Sequence, residues 1–135
     1  MGEFEAIFDL PQIPAGTAQM KGVNHYTGRF YKKKPLIEAE QIFRDELCTL
    51  VPRWKMQGPI QLTIELRYMT KDKKKRGKWK TTRPDADNAV KLLIDVMTDL
   101  GVWGDDSQIV DLRIRKRWSC FDYATVYIEA KEIVV

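Results

Sequence analysis

The chain has 135 residues, of which 44% are hydrophobic and 31% are charged, proportions typical of one globular domain spanning residues 1–135. They argue against collagen, coiled coils, disulfide scaffolds and disordered chains. No apolar run approaches the roughly 20 residues of a transmembrane helix, and the first residues lack the pattern of a signal peptide. Cys48 and Cys120 form no disulfide framework or metal-binding spacing. We therefore expect a cytoplasmic protein with no membrane partner.

The positive charge is concentrated in one segment. Residues 71–83 contain eight lysines or arginines and one aspartate, a charge of +7, whereas the whole chain carries +4 and the remainder therefore −3. A concentration of this kind is typical of a surface that binds a polyanion. The alternative is a solvated loop that only keeps the protein soluble.

The hydrophobic pattern predicts a regular order of elements. It begins with a short strand over residues 3–10 and an irregular segment over 11–35. A helix follows over 36–50, ended by Pro52, and then an alternating, half-buried strand over 60–69.

After the basic segment, Pro84 and Asp85 open a second helix that ends near Leu100, before Gly101. Alternating strands are predicted over 109–118 and 123–134. The order β, loop, α, β, loop, α, β, β indicates an α+β fold, a single domain with a mixed β-sheet and two main helices packed on it.

The residue types restrict any metal site to carboxylates. The chain has one histidine, His25, so a zinc site or a Ser-His-Asp triad is improbable, and magnesium, calcium or manganese fits better. Asp85 and Asp87 stand at the start of the second helix, where caps and the helix dipole also favour acids. Asp106 follows about twenty residues later and would approach them if the strand after it lies beside the strand before the basic segment.

Three neighbouring carboxylates repel one another unless a divalent cation lies among them. A hard cation beside a basic surface is what phosphodiester hydrolysis requires, so a nuclease is one interpretation. A DNA- or RNA-binding domain without catalysis is the other.

The segment RPDADNAVKLLIDVMTDLGVWGDDSQIVDLRIRK, residues 83–116, resembles the core motif of the RusA family of Holliday junction resolvases. That motif is D-x-D-N-x-x-K and an apolar helix, followed by glycine, an apolar and an aromatic residue, and D-D-x-Q. The matching residues, with their spacing preserved, are Asp85, Asp87, Asn88, Lys91, Gly101, Trp103, Asp105, Asp106 and Gln108. Gly28-Arg29-Phe30-Tyr31, followed by residues 32–34, is similar to phage-type members.

The resemblance implies a homodimeric, magnesium-dependent endodeoxyribonuclease of phage or prophage type, with manganese as a substitute ion. Such an enzyme resolves four-way DNA junctions by paired symmetric nicks. By position, Asp85, Asp87 and Asp106 match the metal-binding catalytic acids, and Lys91 matches the essential lysine. Asp105 is a weaker candidate, and Asn88 and Gln108 match supporting residues. The apolar side of the second helix and the last strand are the candidate dimer surfaces.

Two groups of basic residues are predicted to contact branched DNA. They are Arg29, Lys32, Lys33, Lys34, Lys73, Lys74, Lys75, Arg76, Lys78, Lys80 and Arg83. Trp79 could stack on a base or be buried, and the stripe of Arg113, Arg115 and Arg117 could contact DNA or face solvent. Two alternatives stay open. One is a nuclease for other branched DNA, and the other is a non-catalytic binding protein whose aspartates only cap a helix and a turn.

Overall fold

The computed structural model describes residues 2–14, 21–23, 26, 28–32 and 34–134. The elements there are β1 (Glu3–Leu10), β2 (Lys21–Val23), β3 (Phe30–Lys32), α1 (Lys34–Leu47), β4 (Ile60–Tyr68), α2 (Ala86–Asp99), β5 (Ile109–Trp118) and β6 (Ala124–Glu132). Two 3-10 turns, Lys73–Lys75 and Asp106–Gln108, precede α2 and β5. Among these described elements, no helix is long and apolar enough to cross a membrane.

The predicted strands and helices are confirmed, with shifts of one or two residues at several ends and two larger differences. First, α1 ends at Leu47, three residues earlier than expected, because the carbonyl of Leu47 accepts the amides of Leu50 and Val51 in a closing turn. Second, the segment expected to be irregular contains the antiparallel pair β2–β3, in which Lys21 lies opposite Lys32. Strands of three residues are too short to produce a recognisable alternation.

The main sheet is mixed and has the strand order β1-β6-β4-β5. β6 runs antiparallel to both β1 and β4, whereas β4 and β5 are parallel neighbours in a register that places Ile64 opposite Ile114. Since α2 connects these two parallel strands, β4, α2 and β5 form a crossover unit. We expected Asp106 to approach the start of the second helix if these two strands were neighbours, and they are.

The two helices cover one face of the sheet and enclose the core with it. On β1, alternate side chains are buried, and the ring of Phe8 meets that of Phe43 from α1 edge-on at 6.5 Å. α1 and α2 contact each other. The fully buried side chains at the centre of this layer include Phe43, Leu47, Ile60, Leu62, Ile64, Leu66, Leu93, Met97, Trp103 and Ile128. The fold is therefore the predicted α+β arrangement, and the motif residue Trp103 packs in its core.

The helices leave the middle of the outer strand β5 exposed. Val110 lies at a register shift and has no partner on β4, whereas Leu112 and Ile114 lie on the helix side of the sheet, opposite the buried Leu62 and Ile64. The exposed fractions are 61% for Val110, 43% for Leu112 and 38% for Ile114. The alternation of apolar and polar residues predicted this strand correctly, but it did not reveal that the apolar side of the strand stays in contact with solvent.

Candidate active site

The start of α2 carries two exposed aspartates. Asp85 occupies the N-cap position with extended backbone angles, φ −67° and ψ 144°, but its side chain makes no capping hydrogen bond. Asp87 lies in the first turn and is exposed. A capping role therefore does not account for the Asp85 carboxylate, which leaves its oxygens available to another ligand. Lys91 is exposed one turn after Asp87, on the same side of the helix.

Two lysines hold the backbone that leads into this helix. The ammonium of Lys80 donates to the carbonyl of Thr82 at 2.9 Å, to its hydroxyl at 2.8 Å and to the carbonyl of Arg83. Lys116, on β5, donates to the carbonyls of Thr82 at 2.7 Å and Pro84 at 2.8 Å. Three consecutive carbonyls before Asp85 are thus fixed by two positive charges. We call Lys80 and Lys116 the lysine clamp.

Lys80 is buried, although the concentration of positive charge predicted an exposed side chain. It was expected to contact DNA, but it is only 5% exposed. Its ammonium lies over the rings of Tyr68 and Trp118, 5.1 Å and 4.6 Å from their centroids. Burial lowers the pKa of Lys80, and the positive charges of Lys116 and Lys75 lower it further. In this conformation its ammonium is used within the protein and does not reach an external phosphate.

The second acidic turn is held by Gln108. The Gln108 side-chain oxygen accepts the amides of Gly104 at 2.8 Å and Asp105 at 3.0 Å, while its nitrogen donates to the carbonyls of Met56 and Gly58 at 3.1 Å. The hydroxyl of Ser107 donates to the Asp105 carboxylate at 2.5 Å and lowers the pKa of Asp105. Asp106 is exposed. The turn is therefore held in place, and both Asp105 and Asp106 are exposed on it.

The two acidic turns lie at opposite ends of α2. The clamp ties the start of α2 to Lys116, near the C-terminal end of β5. The end of α2 leads to Val102, whose carbonyl accepts the Met56 amide at 2.8 Å close to the beginning of β4. A helix of 14 residues is about 21 Å long. Although β4 and β5 pair as expected, Asp106 does not approach Asp85 and Asp87 within one chain.

The described residues accordingly contain no group of three or more carboxylate, histidine or cysteine side chains that could hold a metal ion. Asp85 and Asp87 are neighbours on one side, and Asp105 and Asp106 on the other. A divalent cation bound within a single chain would have at most one of these pairs of carboxylates as ligands.

The basic segment lies at the same end of the sheet as Asp85, since Lys75 and Lys80 both contact the ring of Trp118 at the end of β5. Residues 73–75, Lys78 and Arg83 are exposed. Arg76 is half-buried and forms an ion pair with Asp122. Trp79 is 56% exposed, and the guanidinium of Arg117 lies 3.7 Å from the centroid of its ring. Exposed positive charge and an exposed aromatic ring thus adjoin the first two aspartates.

The other predicted DNA contacts are residues 29 and 32–34, which the structure describes only in part. Arg29 is exposed, and Lys34 is exposed beside Glu38 at 3.8 Å. Lys32 belongs to β3, while Lys33 and His25 lie outside the described residues.

The arginine stripe of β5 lies on the face of the sheet opposite the helices. Arg113 and Arg115 are exposed, and Arg113 pairs with Asp111 at 3.4 Å. Arg117 is half-buried and bonds the carboxylate of Glu65 at 3.3 Å, which Arg67 also contacts at 2.6 Å. Glu65 is 7% exposed. The alternation of residues 60–69 does not reveal these ion pairs, because it does not report cross-strand partners.

Comparison with known proteins identifies the family to which the chain belongs. The family model "Endodeoxyribonuclease RusA" matches residues 11–129. A protein of Lactococcus phage r1t, "Crossover junction endodeoxyribonuclease rusA", is 36% identical over 118 residues, covering 84% of this chain and 88% of the phage protein. "Uncharacterized protein YqaN" of Bacillus subtilis (strain 168) is 33% identical over 79 residues, covering 50% of this chain and 55% of that protein. The chain belongs to the RusA endodeoxyribonuclease family.

Proposed function

We propose that this protein, acting as one endonuclease domain over residues 1–135, resolves four-way DNA junctions by paired nicks in the presence of magnesium. The observation that carries the proposal is the combination at one end of the fold of two exposed aspartates and an exposed basic segment. The name of the phage relative, a crossover junction endodeoxyribonuclease, supports junctions as the substrate. A soluble, cytoplasmic site of action is part of the proposal.

The donor set at the start of α2 fits a magnesium ion. Magnesium is bound in proteins through one or two carboxylates and keeps several waters, and Asp85 and Asp87 present two carboxylates to solvent. When bound, the ion supplies positive charge that polarises the scissile phosphate and lowers the pKa of a nearby water. Manganese prefers similar oxygen ligands and is the expected substitute.

The surrounding side chains supply the rest of the chemistry. Lys91, one turn after Asp87, places an ammonium beside the phosphate, where it stabilises negative charge that develops during hydrolysis. Residues 73–75, Lys78 and Arg83 attract the DNA backbone without reading its sequence. The lysine clamp orients the segment that carries Asp85.

A second copy of the chain completes the site. Resolving a two-fold symmetric junction takes two nicks, and a two-fold dimer places two sites as the two strands require. In such a dimer, Asp106 of the partner subunit is available to the site formed by Asp85 and Asp87. This arrangement accounts for the separation of the three aspartates within one chain. Arg29 and residues 32–34 are proposed to extend the DNA-binding surface.

The primary experiment compares a labelled four-way junction with a matched linear duplex, in magnesium and in chelator. Symmetric nicks in the junction alone, dependent on magnesium, are expected. Asp87→Asn should lower the cleavage rate by about 1,000-fold or more, since it removes a carboxylate from the metal site, while junction binding persists. Asp45→Asn, an exposed position on α1, is the matched control and should cleave normally. Cleavage by Asp87→Asn at the wild-type rate would refute the site.

Co-expression of two inactive variants tests whether the site is shared. A heterodimer of Asp87→Asn with Asp106→Asn has one site carrying both changes and one intact site, if each site takes Asp106 from the partner. Single nicks should then return in the mixture, whereas each variant alone stays inactive. If all three aspartates acted within one chain, the mixture would remain inactive.

A further inference from the structure

A cavity of about 300 Å³ opens at the C-terminal ends of β4 and β5. Its volume lies in the range of pockets that hold small organic ligands. The lining combines charged groups with aromatic rings, and the proposed mechanism uses none of these side chains. The lining includes Glu65, Arg67, Arg117, Trp118, Cys120 and Phe121.

A buried carboxylate holds two guanidinium groups at this cavity. Glu65 is buried, and its two oxygens contact Arg67 at 2.6 Å and Arg117 at 3.3 Å. Arg117 also donates to the carbonyl of Gly77 at 3.0 Å. A carboxylate has about four acceptor positions and a guanidinium five N–H donors, so these contacts leave both kinds of group able to make further hydrogen bonds. The cavity therefore offers an acceptor and several donors that hold one another in place.

An exposed aromatic ring adds a flat apolar surface to the lining. Phe121 stacks on Tyr123 with the ring centroids 5.2 Å apart and an angle of 7° between the ring planes. Phe121 nevertheless stays 56% exposed. Aromatic rings and guanidinium planes are the surfaces on which the bases of nucleic acids stack. The cavity thus combines a stacking surface with hydrogen-bonding groups, which are the two features that hold a nucleobase.

The cavity lies at the end of the molecule that carries Asp85 and the basic segment. Lys116 directly precedes Arg117 on β5 and binds the carbonyl of Pro84 at 2.8 Å. Since successive side chains of a strand point to opposite faces, Lys116 and Arg117 connect the start of α2 with the cavity. The guanidinium of Arg117 also lies 3.7 Å from the ring centroid of Trp79, within the basic segment. DNA held by the basic segment would therefore lie next to the cavity.

We propose that this cavity receives a single nucleobase that has left the stack of bound DNA. The base stacks on Phe121. Its edge donates to the carboxylate of Glu65 and accepts hydrogen bonds from the guanidinium groups of Arg67 and Arg117. Extrusion of a base costs least where pairing or stacking is already interrupted, as it is at a branch point. In naming branched DNA as the source of the base, the inference rests on the proposed function.

A duplex with one unpaired nucleotide tests the cavity without any measurement of cleavage. Fluorescence anisotropy in chelator compares this bulged duplex with a fully paired duplex and with a bulge that lacks its base. The wild-type protein should bind the bulged duplex about tenfold more tightly than either of the others, since stacking of one base on an aromatic side chain contributes an amount of this order. Equal affinity for the bulges with and without the base would overturn the inference.

Two variants show whether the preference depends on the cavity. Phe121→Ala should bind the bulged and the paired duplex equally, because it removes the stacking surface from an exposed position. Trp54→Ala is the matched control and should keep the preference, since Trp54 is also exposed but contacts the region of Gly2, at the other end of the sheet. A preference that survives Phe121→Ala would overturn the inference.

The thiol of Cys120 reports directly on occupancy of the cavity. Cys120 lines the cavity, whereas Cys48 lies just after α1, and both are free and exposed. The bulged duplex should slow alkylation of Cys120 by iodoacetamide several-fold relative to the paired duplex and leave Cys48 unaffected, as measured by mass spectrometry. Equal rates at Cys120 would overturn the inference. Base-dependent binding and protection without cleavage of junctions would refute the proposed function and leave the cavity intact.

Discussion

Replacing Lys80 by methionine isolates the lysine clamp. Methionine keeps most of the length and the apolar stem, but it removes the ammonium that donates to Thr82 and Arg83 and lies over Tyr68 and Trp118. Hydrogen bonds from a charged group contribute about 1.5–3 kcal/mol each, and a desolvated cation–π contact about 2 kcal/mol. Desolvation of the buried ammonium costs several kcal/mol and offsets much of this sum. We expect a net loss of about 3 kcal/mol in the free energy of unfolding.

Urea denaturation followed by far-ultraviolet circular dichroism measures this loss. With a slope of about 2 kcal/mol per molar urea, the midpoint should fall by about 1.5 M. Lys78→Met is the control, since Lys78 belongs to the same basic segment but has an exposed side chain, and its midpoint should stay within about 0.3 M of the wild type. If Lys80→Met and Lys78→Met unfolded at the same urea concentration, the clamp would contribute nothing to stability and the reasoning would be wrong.

Two further changes probe the basic surface and the core. Replacing all three lysines of residues 73–75 by glutamine should weaken junction binding and reduce the steepness of log affinity against log salt concentration by up to about 3. Fluorescence anisotropy across a salt series measures both effects. An unchanged slope would show that these lysines do not contact the DNA. Trp103 is fully buried and its indole N–H donates to the Thr98 hydroxyl at 2.7 Å. Trp103→Phe should therefore cost about 2 kcal/mol in urea denaturation, and a loss below about 0.5 kcal/mol would contradict that contribution.

The regular elements were predictable because their side chains alternate or repeat over enough residues. Ile60 to Tyr68 shows period two, and the helix after Asp85 shows the spacing of an amphipathic helix. The family motif also indicated which aspartates to examine. The exposure of Val110, Leu112 and Ile114 was not predictable. A strand at the edge of a sheet can show the same alternation of apolar and polar residues as a strand at its centre.

The separation of the aspartates follows from the crossover connection, which hydrophobic periodicity does not report. When a helix joins two parallel strands, it starts at the C-terminal ends of the strands and returns to their N-terminal ends. Asp85 precedes that helix and Asp106 follows it, so the same topology that pairs β4 with β5 places the two acidic turns at opposite ends. Strand adjacency alone was therefore an insufficient reason to expect them together.

Charge density likewise does not distinguish a lysine that binds DNA from one that supports the fold. Residues 71–83 include Lys73, whose side chain is exposed, and Lys80, which is buried among carbonyls and aromatic rings. The two lysines differ in their surroundings in the folded protein. The rings of Tyr68 and Trp118, which lie beside Lys80, come from the C-terminal ends of β4 and β5 and meet only after these strands pair. Part of the positive charge thus organises the backbone before Asp85. The exposed part remains available to attract phosphates of DNA, as the proposed function requires.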